Sequence, residues 1–156
     1  MPDVLVILGS KSDLEIGQKA VQVLDRFDID SRLVVASAHR TPERVRELVE
    51  ESDARVFIAM AGLSAALPGT VAAATTRPVI GVPVSGKVNL DSILSIVQMP
   101  PGIPVACVGL DRGDNAALLA VSMLSIGNQT LERKLVDYRR EMAEKVIEHS
   151  MEVESQ

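Results

Sequence analysis

Aromatic side chains are scarce in this chain: its 156 residues include two phenylalanines, one tyrosine and no tryptophan. Its core must therefore be filled by Val, Ile, Leu, Ala and Met, and apolar residues make up 47% of the sequence. Such a core suits parallel strands covered on both faces, which read as Val/Ile-rich runs rather than alternating ones. Cysteine occurs once, at Cys107, which excludes an intrachain disulfide and a cysteine-based zinc site. Within PVACVGL (residues 104–110) that thiol reads as a small buried hydrophobe rather than a nucleophile. Positive charge is also in deficit, and the formal net charge of −5 offers no general attraction for nucleic acid or an anionic membrane. Long apolar runs are absent too, so no membrane span is expected. The opening MPDVLVILGS lacks the charged region and long apolar segment of a secretory signal, and a cytoplasmic protein is expected.

What is present is alternation. Val4–Leu8, Leu33–Ala36, Val56–Met60, Val79–Val84 and Val105–Gly109 read as strands, and helical patterns open near Ser12, Thr41, Ser64, Asn89 and Gly113. The spacing from Ser12 to Glu15 reads as a capping box, and Thr41-Pro42 places a threonine cap before a proline at the first helical position. Repeated strand–helix units imply right-handed crossovers and a doubly wound parallel sheet, an α/β three-layer sandwich. Five strands favour the flavodoxin-like order 2-1-3-4-5. Residues 1–128 form the expected globular domain, and residues 129–156 add one amphipathic helix and tail. Leu131, Leu135, Tyr138, Met142, Val146 and Ile147 make a helical stripe on that charged segment. The crossovers already have their helices, so this one needs another surface. A neighbouring copy is expected to supply it, giving a homo-oligomer; a helix folded back on its own domain is the other reading.

Ligands of open α/β sheets bind beyond the carboxyl ends of the strands, where strand order reverses. That point lies between the first and third strands. The loops at Gly9–Asp13, Ser37–Pro42 and Ala61–Gly69 hold the densest grouping of Gly, Ser, Asp, His and Arg outside the charged helix faces. Taken singly, Ser12, Thr41, Pro42 and Gly69 have ordinary roles as caps, helix starts and packing residues. Together the loops predict a site. Backbone amides leading into a helix, with the Ser10 hydroxyl, can receive a phosphate. Arg40 can add a two-pronged charged contact to it. Asp13 can accept hydrogen bonds from ribose hydroxyls or cap the helix. His39 is the acid–base candidate, since an unperturbed imidazole titrates at about 6.5; His149 reads as solvated in the charged tail. The chain has neither a Gly-Lys-Ser/Thr phosphate loop nor GxGxxG after the first strand. It also lacks clustered metal-ligand spacings, the acidic residue a phospho-acceptor would need after the third strand, and aromatics to stack on a flavin. The expectation is a pocket without cofactor or metal, binding a phosphorylated small molecule around one histidine.

GSKSD (9–13), SAHRTP (37–42), AGLSAALPG (61–69) and SIVQMPPGIPVACVGLDRGDNAALLA (95–120) together resemble the PurE family of de novo purine biosynthesis, in the right order over nearly the whole chain. The resemblance implies a flavodoxin-like domain that assembles, usually as an octamer, with C-terminal helices embracing neighbours. It implies no metal, biotin or nucleotide cofactor. One of two reactions follows, each yielding 4-carboxyaminoimidazole ribonucleotide. Class I members move a carboxylate from the exocyclic nitrogen of N-carboxyaminoimidazole ribonucleotide to ring carbon 4; class II members carboxylate aminoimidazole ribonucleotide with carbon dioxide. The family's catalytic histidine falls on His39, and its phosphate and ribose contacts fall on Ser10, Asp13 and Arg40. Ser12 and Ser37 line the same pocket, with Gly62 and Ser64 joining as binding residues from the third loop. Class I members usually read Ala-Ala-His-Leu-Pro-Gly there, whereas this chain has Ala65-Ala66-Leu67-Pro68-Gly69, and Ala66 can carry no proton. The Ala61-Gly62-Leu63-Ser64 pattern also follows class II. Arg40, Leu-Pro-Gly and the QMPxGIPV segment follow class I, and VPVSGKVNLDS (82–92) is shorter by a couple of residues than in common class I members. The mutase reading is favoured. Direct carboxylation, or a ribonucleotide-binding homologue without turnover, are the other readings.

Overall fold

The apolar run Val4–Leu8 forms strand β1, and in the computed structural model, which describes residues 2–155, all of its residues are buried. Strand β2 (Ser31–Val35) pairs with one edge of β1 and β3 (Val56–Ala61) with the other. Strands β4 (Val79–Pro83) and β5 (Ala106–Cys107) extend the sheet, in the order β2-β1-β3-β4-β5 with every pairing parallel. This is the expected flavodoxin-like order. Burial on both faces explains why β1, β3 and β4 read as unbroken apolar runs. At the edge, β2 begins earlier than its apolar run, because the backbones of Ser31 and Arg32 join the ladder opposite Val4 and Leu5. β5 is shorter than the expected Val105–Gly109; only Ala106 and Cys107 pair with β4 before the chain turns.

Helices cover both faces. Successive strand residues point to opposite sides. Leu5, Ile7, Phe57 and Ala59 therefore share a core with Val45, Leu48 and Val49 of α2 (Pro42–Glu50), Leu67 and Val71 of α3 (Leu67–Ala73), and Ile96 of α4 (Asn89–Val97). Helix α1 (Leu14–Arg26) lies on the other face, close enough that a Cβ on Gly17 would touch Leu8 and Leu33. Helix α5 (Gly113–Ser125) starts against α1, with Gly113 packed on the backbone carbonyl of Ile16.

Two helix starts differ from the expected ones, and a third begins as expected but without its side-chain cap. α1 opens at Leu14 after a 3₁₀ turn, Lys11–Asp13, and the reciprocal cap joins Ser10 to Asp13 rather than Ser12 to Glu15. Both serines stand three residues before an acid, and the one whose acid is buried prevails. Thr41 precedes α2, but its hydroxyl bonds Ser37 instead of capping the helix. α3 opens at Leu67, not Ser64, because Ser64 adopts a left-handed φ of 49° that no helix can include.

By its internal contacts the chain divides into two units, Met1–Ala120 and Val121–Gln156. In the second, α6 (Gln129–Glu154) is capped by Asn128, whose side-chain oxygen accepts the Leu131 N–H at 3.2 Å. Leu131 is buried, whereas Met142, Val146 and Ile147 of the same apolar stripe are exposed. Among the described residues no helix is long and apolar enough to cross a membrane.

Gly81 of β4 is the tightest point beneath α3 and α4. An added Cβ would collide with Ile96 and lie 3.0 Å from Val105 Cγ1 and 3.2 Å from Pro68 Cβ. Overpacking of this kind costs about 1–3 kcal/mol. Gly81→Ala is expected to lower the urea midpoint accordingly; an unchanged midpoint would mean that the two helices move apart freely.

Candidate functional site

The loop after β1 is built around a serine–carboxylate knot. Gly9 extends the ladder by one bond, donating its N–H to the Met60 carbonyl at 2.9 Å. The chain then turns: Ser10 N–H donates to Asp13 Oδ2 at 3.2 Å, and Ser12 N–H to Ser10 Oγ at 3.4 Å. The Ser12 hydroxyl lies 3.0 Å from Ser10 Oγ and 3.1 Å from Asp13 Oδ1. Asp13 is only 6% exposed. Burial raises its pKa above the ordinary 3.8, outweighing the lowering by the Ser12 and Ser10 hydrogen bonds and the charge of Arg40; Asp111 adds a further rise.

The second loop presents the basic groups. Ser37 N–H donates to Thr41 Oγ1 at 3.0 Å, and the Thr41 hydroxyl donates back to the Ser37 carbonyl at 3.2 Å, closing the turn that carries His39 and Arg40. Arg40 Nη2 reaches across to the Gly9 carbonyl at 3.1 Å, while its Nε donates to Ser37 Oγ at 3.3 Å. The guanidinium therefore ties the first loop to the second. His39 is exposed on the same turn and forms no hydrogen bond with the described residues, leaving both ring nitrogens available.

A third loop closes the cleft from β3. Gly62 passes so close to β4's end that a Cβ would lie 3.4 Å from the Val84 carbonyl, and Ser64 N–H donates to Asp91 Oδ2 at 3.1 Å. The result is an open cleft of about 490 Å³ lined by all eight residues expected from the sequence: Ser10, Ser12, Asp13, Ser37, His39, Arg40, Gly62 and Ser64. Ala66 lines it too, at the position where a second histidine would stand. Leu63, on the same rim, is 88% exposed.

Sequence reasoning singled out the segment beyond β4 for its shortened length but did not name its residues Val84, Ser85 and Gly86 as a fourth wall. It also missed the acceptors that hold that wall: Asp111 Oδ1 takes the Ser85 N–H and Asn89 Oδ1 the Gly86 N–H, each at 2.8 Å. The Ser-Gly pair followed by Asn89 is the turn signal that marks this segment. A separate groove of about 510 Å³ is lined by Glu43, Glu47, Glu50 and Arg46 with Thr70. Its carboxylates would repel an anion, and it holds no imidazole. Among the described residues no three His, Cys, Asp or Glu side chains cluster so as to hold a metal ion.

Serine hydroxyls, one guanidinium, one free imidazole and a buried carboxylate can together bind a polar anionic small molecule and move a proton on it. Fold and cleft thus define a doubly wound α/β protein with a small-molecule site at the strand-order reversal. The family described as AIR carboxylase matches residues 3–145, and the chain belongs to that family. It is 56% identical over 144 residues to the N5-carboxyaminoimidazole ribonucleotide mutase of Methanocaldococcus jannaschii, covering 92% of each chain. Its identity to the Pyrococcus abyssi protein of the same name is 53% over 147 residues, covering 91% of this chain and 84% of that one. The crystal structure of Treponema denticola PurE superposes with a TM-score of 0.86 at 31% identity, covering 96% of both chains.

Asp13 yields a test with a defined sign. Its folded-state pKa lies above the ordinary 3.8, so protonation favours the folded state. That contribution is complete below 3.8 and is lost as pH rises through the folded value. Asp13→Asn should therefore gain stability over the parent as pH rises from the acid range to neutrality, read as the difference in urea midpoints. A difference independent of pH would contradict the assigned direction.

Proposed function

We propose that this protein forms 4-carboxyaminoimidazole ribonucleotide by moving the carboxylate of N-carboxyaminoimidazole ribonucleotide from its exocyclic nitrogen to ring carbon 4, a step of purine biosynthesis. The observation that carries this is the unpartnered His39 imidazole on the turn braced by Arg40, in one cleft with Ser10 and Asp13. Membership of the AIR carboxylase family and high identity to two proteins named as mutases support the same reading.

The residues divide the work. Arg40, Ser10 and Ser37 hold the phosphate end through charge-assisted and hydroxyl hydrogen bonds. Asp13 accepts from the ribose hydroxyls, and the main chain at Gly62 and Ser64 borders the base. The carbamate C–N bond breaks, carbon dioxide departs and the exocyclic nitrogen takes a proton. Carbon 4 of the electron-rich ring then attacks that carbon dioxide, forming the C–C bond. His39 removes the proton left on carbon 4, which restores the aromatic ring, and a protonated His39 supplies the one needed at nitrogen. Proton balance is thus kept within one imidazole. Acid–base assistance of this kind contributes about 10²–10⁴-fold, and holding carbon dioxide beside its target adds the advantage of proximity.

Two features of the third loop support the direct carboxylation reading: Ala66 stands where class II members also lack the histidine, and Ala61-Gly62-Leu63-Ser64 follows their pattern. The two feeds separate the reactions. N-carboxyaminoimidazole ribonucleotide should be converted rapidly, whereas aminoimidazole ribonucleotide with modest bicarbonate should be a poor substrate; the reverse order would overturn the mutase reading. His39→Asn should lower turnover by at least about 10²-fold with its fold intact by circular dichroism. Turnover that survives the change would remove His39 from the chemistry.

The reading extends to assembly: we take the protein to be a homo-oligomer, with the octamer common in this family as the expected state. Helix α6 supports this, because Met142, Val146, Ile147 and Met151 leave an apolar stripe exposed on the single chain. Burying such side chains is worth about 1.5–3 kcal/mol each when burial is complete. Full-length protein carrying both Val146→Asp and Ile147→Asp should scatter light as a smaller particle than the parent. Equal masses would remove α6 from the interface.

A further inference from the structure

Two carboxylates outside the cleft hold its far wall. Asp111 follows β5 with a left-handed φ of 59°, and its N–H donates to the Pro83 carbonyl at 2.9 Å. Its side chain accepts the Ser85 N–H at 2.8 Å. One residue thus grips the segment after β4 at two points, just before and just inside the cleft-lining run Val84–Gly86. Asp91, in the first turn of α4, accepts the Ser64 N–H at 3.1 Å, and Ser64 is itself a non-glycine residue with positive φ. Neither carboxylate lines the cavity; each reaches it only through the backbone of a residue that does.

We propose that Asp91 and Asp111 are positioning residues, fixing the wall formed by residues 62–64 and 84–86 against the reacting end of the substrate; this rests on the ribonucleotide reading above. The phosphate-binding loops are already tied, to each other by Arg40 and Gly9 and within the first loop by Ser10 and Asp13. The opposite wall lacks such side-chain ties of its own. It is made of Gly62, Leu63 and Ser64 on one loop and Val84, Ser85 and Gly86 on the other. Its backbone amides are anchored from behind, and a charged acceptor holds an N–H more firmly than a neutral one. A left-handed Ser64 is costly unless its surroundings hold it; the Ala66 N–H holds its carbonyl from within the loop, and the bond to Asp91 is the restraint from another element.

The test must separate positioning from simple stabilisation. Asp91 also places a negative charge at a helix N-terminus, which favours α4 irrespective of Ser64. Asp111→Gly keeps the left-handed backbone and removes the acceptor, and Asp91→Ala removes the acceptor on α4. Asp111→Asn and Asp91→Asn each keep an acceptor oxygen and remove the charge; Asn also tolerates the left-handed conformation. Two readouts are made on the full-length protein: amide hydrogen exchange at Ser64 and Ser85, and kcat and KM with N-carboxyaminoimidazole ribonucleotide, well below the melting temperature of each variant.

Loss of either acceptor should speed exchange at its own serine and lower kcat by about ten- to a hundredfold, as small misplacements of reacting groups do. KM should change much less, because the phosphate end is untouched, and each Asn variant should recover most of both losses. Faster exchange with unchanged kcat would overturn the proposal, as would unaltered exchange. So would a loss confined to KM or to melting temperature. A parent protein that binds but never converts the ribonucleotide would sink the functional reading itself, visible before any variant is made.

Discussion

The parallel registers of β1 pair Leu8 with Val35 on one side and with Met60 on the other, so three strands end at one level. Each ladder continues by one bond: Ala36 N–H donates to the Leu8 carbonyl and Gly9 N–H to the Met60 carbonyl, both at 2.9 Å. The loops carrying Ser10, His39 and Gly62 therefore leave the sheet side by side. A shift of one residue in either pairing would move a loop by about 3.3 Å along the strand. Side chains close-packed on both faces of β1 and β3 resist that slip, because each would have to fill a neighbour's differently shaped place. The cleft inherits its geometry from the sheet's apolar core, whose Ala61 and Leu67 reach its lining.

Charge in the cleft is arranged around that geometry. Arg40 spends two of its donors on Gly9 and Ser37, which orients its fork without neutralising it. Asp13 lies buried at the base of the first loop with its oxygens already bonded to Ser10 and Ser12. Its raised pKa shows that those bonds do not fully offset desolvation. His39, by contrast, forms no hydrogen bond with the described residues, so neither ring nitrogen is claimed.

Much of this was legible in the sequence because apolar runs and loop chemistry are local signals. Val4–Leu8 and Val79–Val84 announce buried parallel strands by composition, and GSKSD, SAHRTP and AGLSAALPG bring all eight expected lining residues into one cleft. What stayed hidden depends on contacts distant along the chain. Ser10 and Ser12 both satisfy capping-box spacing, and only burial of Asp13 decides between them. Thr41 has the composition of a cap, yet its hydroxyl is claimed by Ser37. Asp91 and Asp111 lie 27 and 26 residues from the amides they hold, a separation no spacing rule covers. Ser64 could not be recognised as left-handed from its type, because serine has no special tolerance for that conformation.

The distribution of backbone strain bears on how such residues should be read. Among the described residues, three that are not glycine have positive φ: Asp28, Ser64 and Asp111. Asp28 belongs to the turn between α1 and β2, at the end of the sheet away from the cleft, so left-handed backbone alone does not mark a functional position. Of the other two, Ser64 donates its N–H to a carboxylate and Asp111 supplies one to Ser85. Aspartate is among the residues that enter this conformation readily, whereas serine is not. Asp111 can thus turn the chain and grip Ser85 at little local cost, while Ser64 needs an outside restraint. At Ser64, then, a left-handed backbone coincides with a restraint supplied from another element, α4.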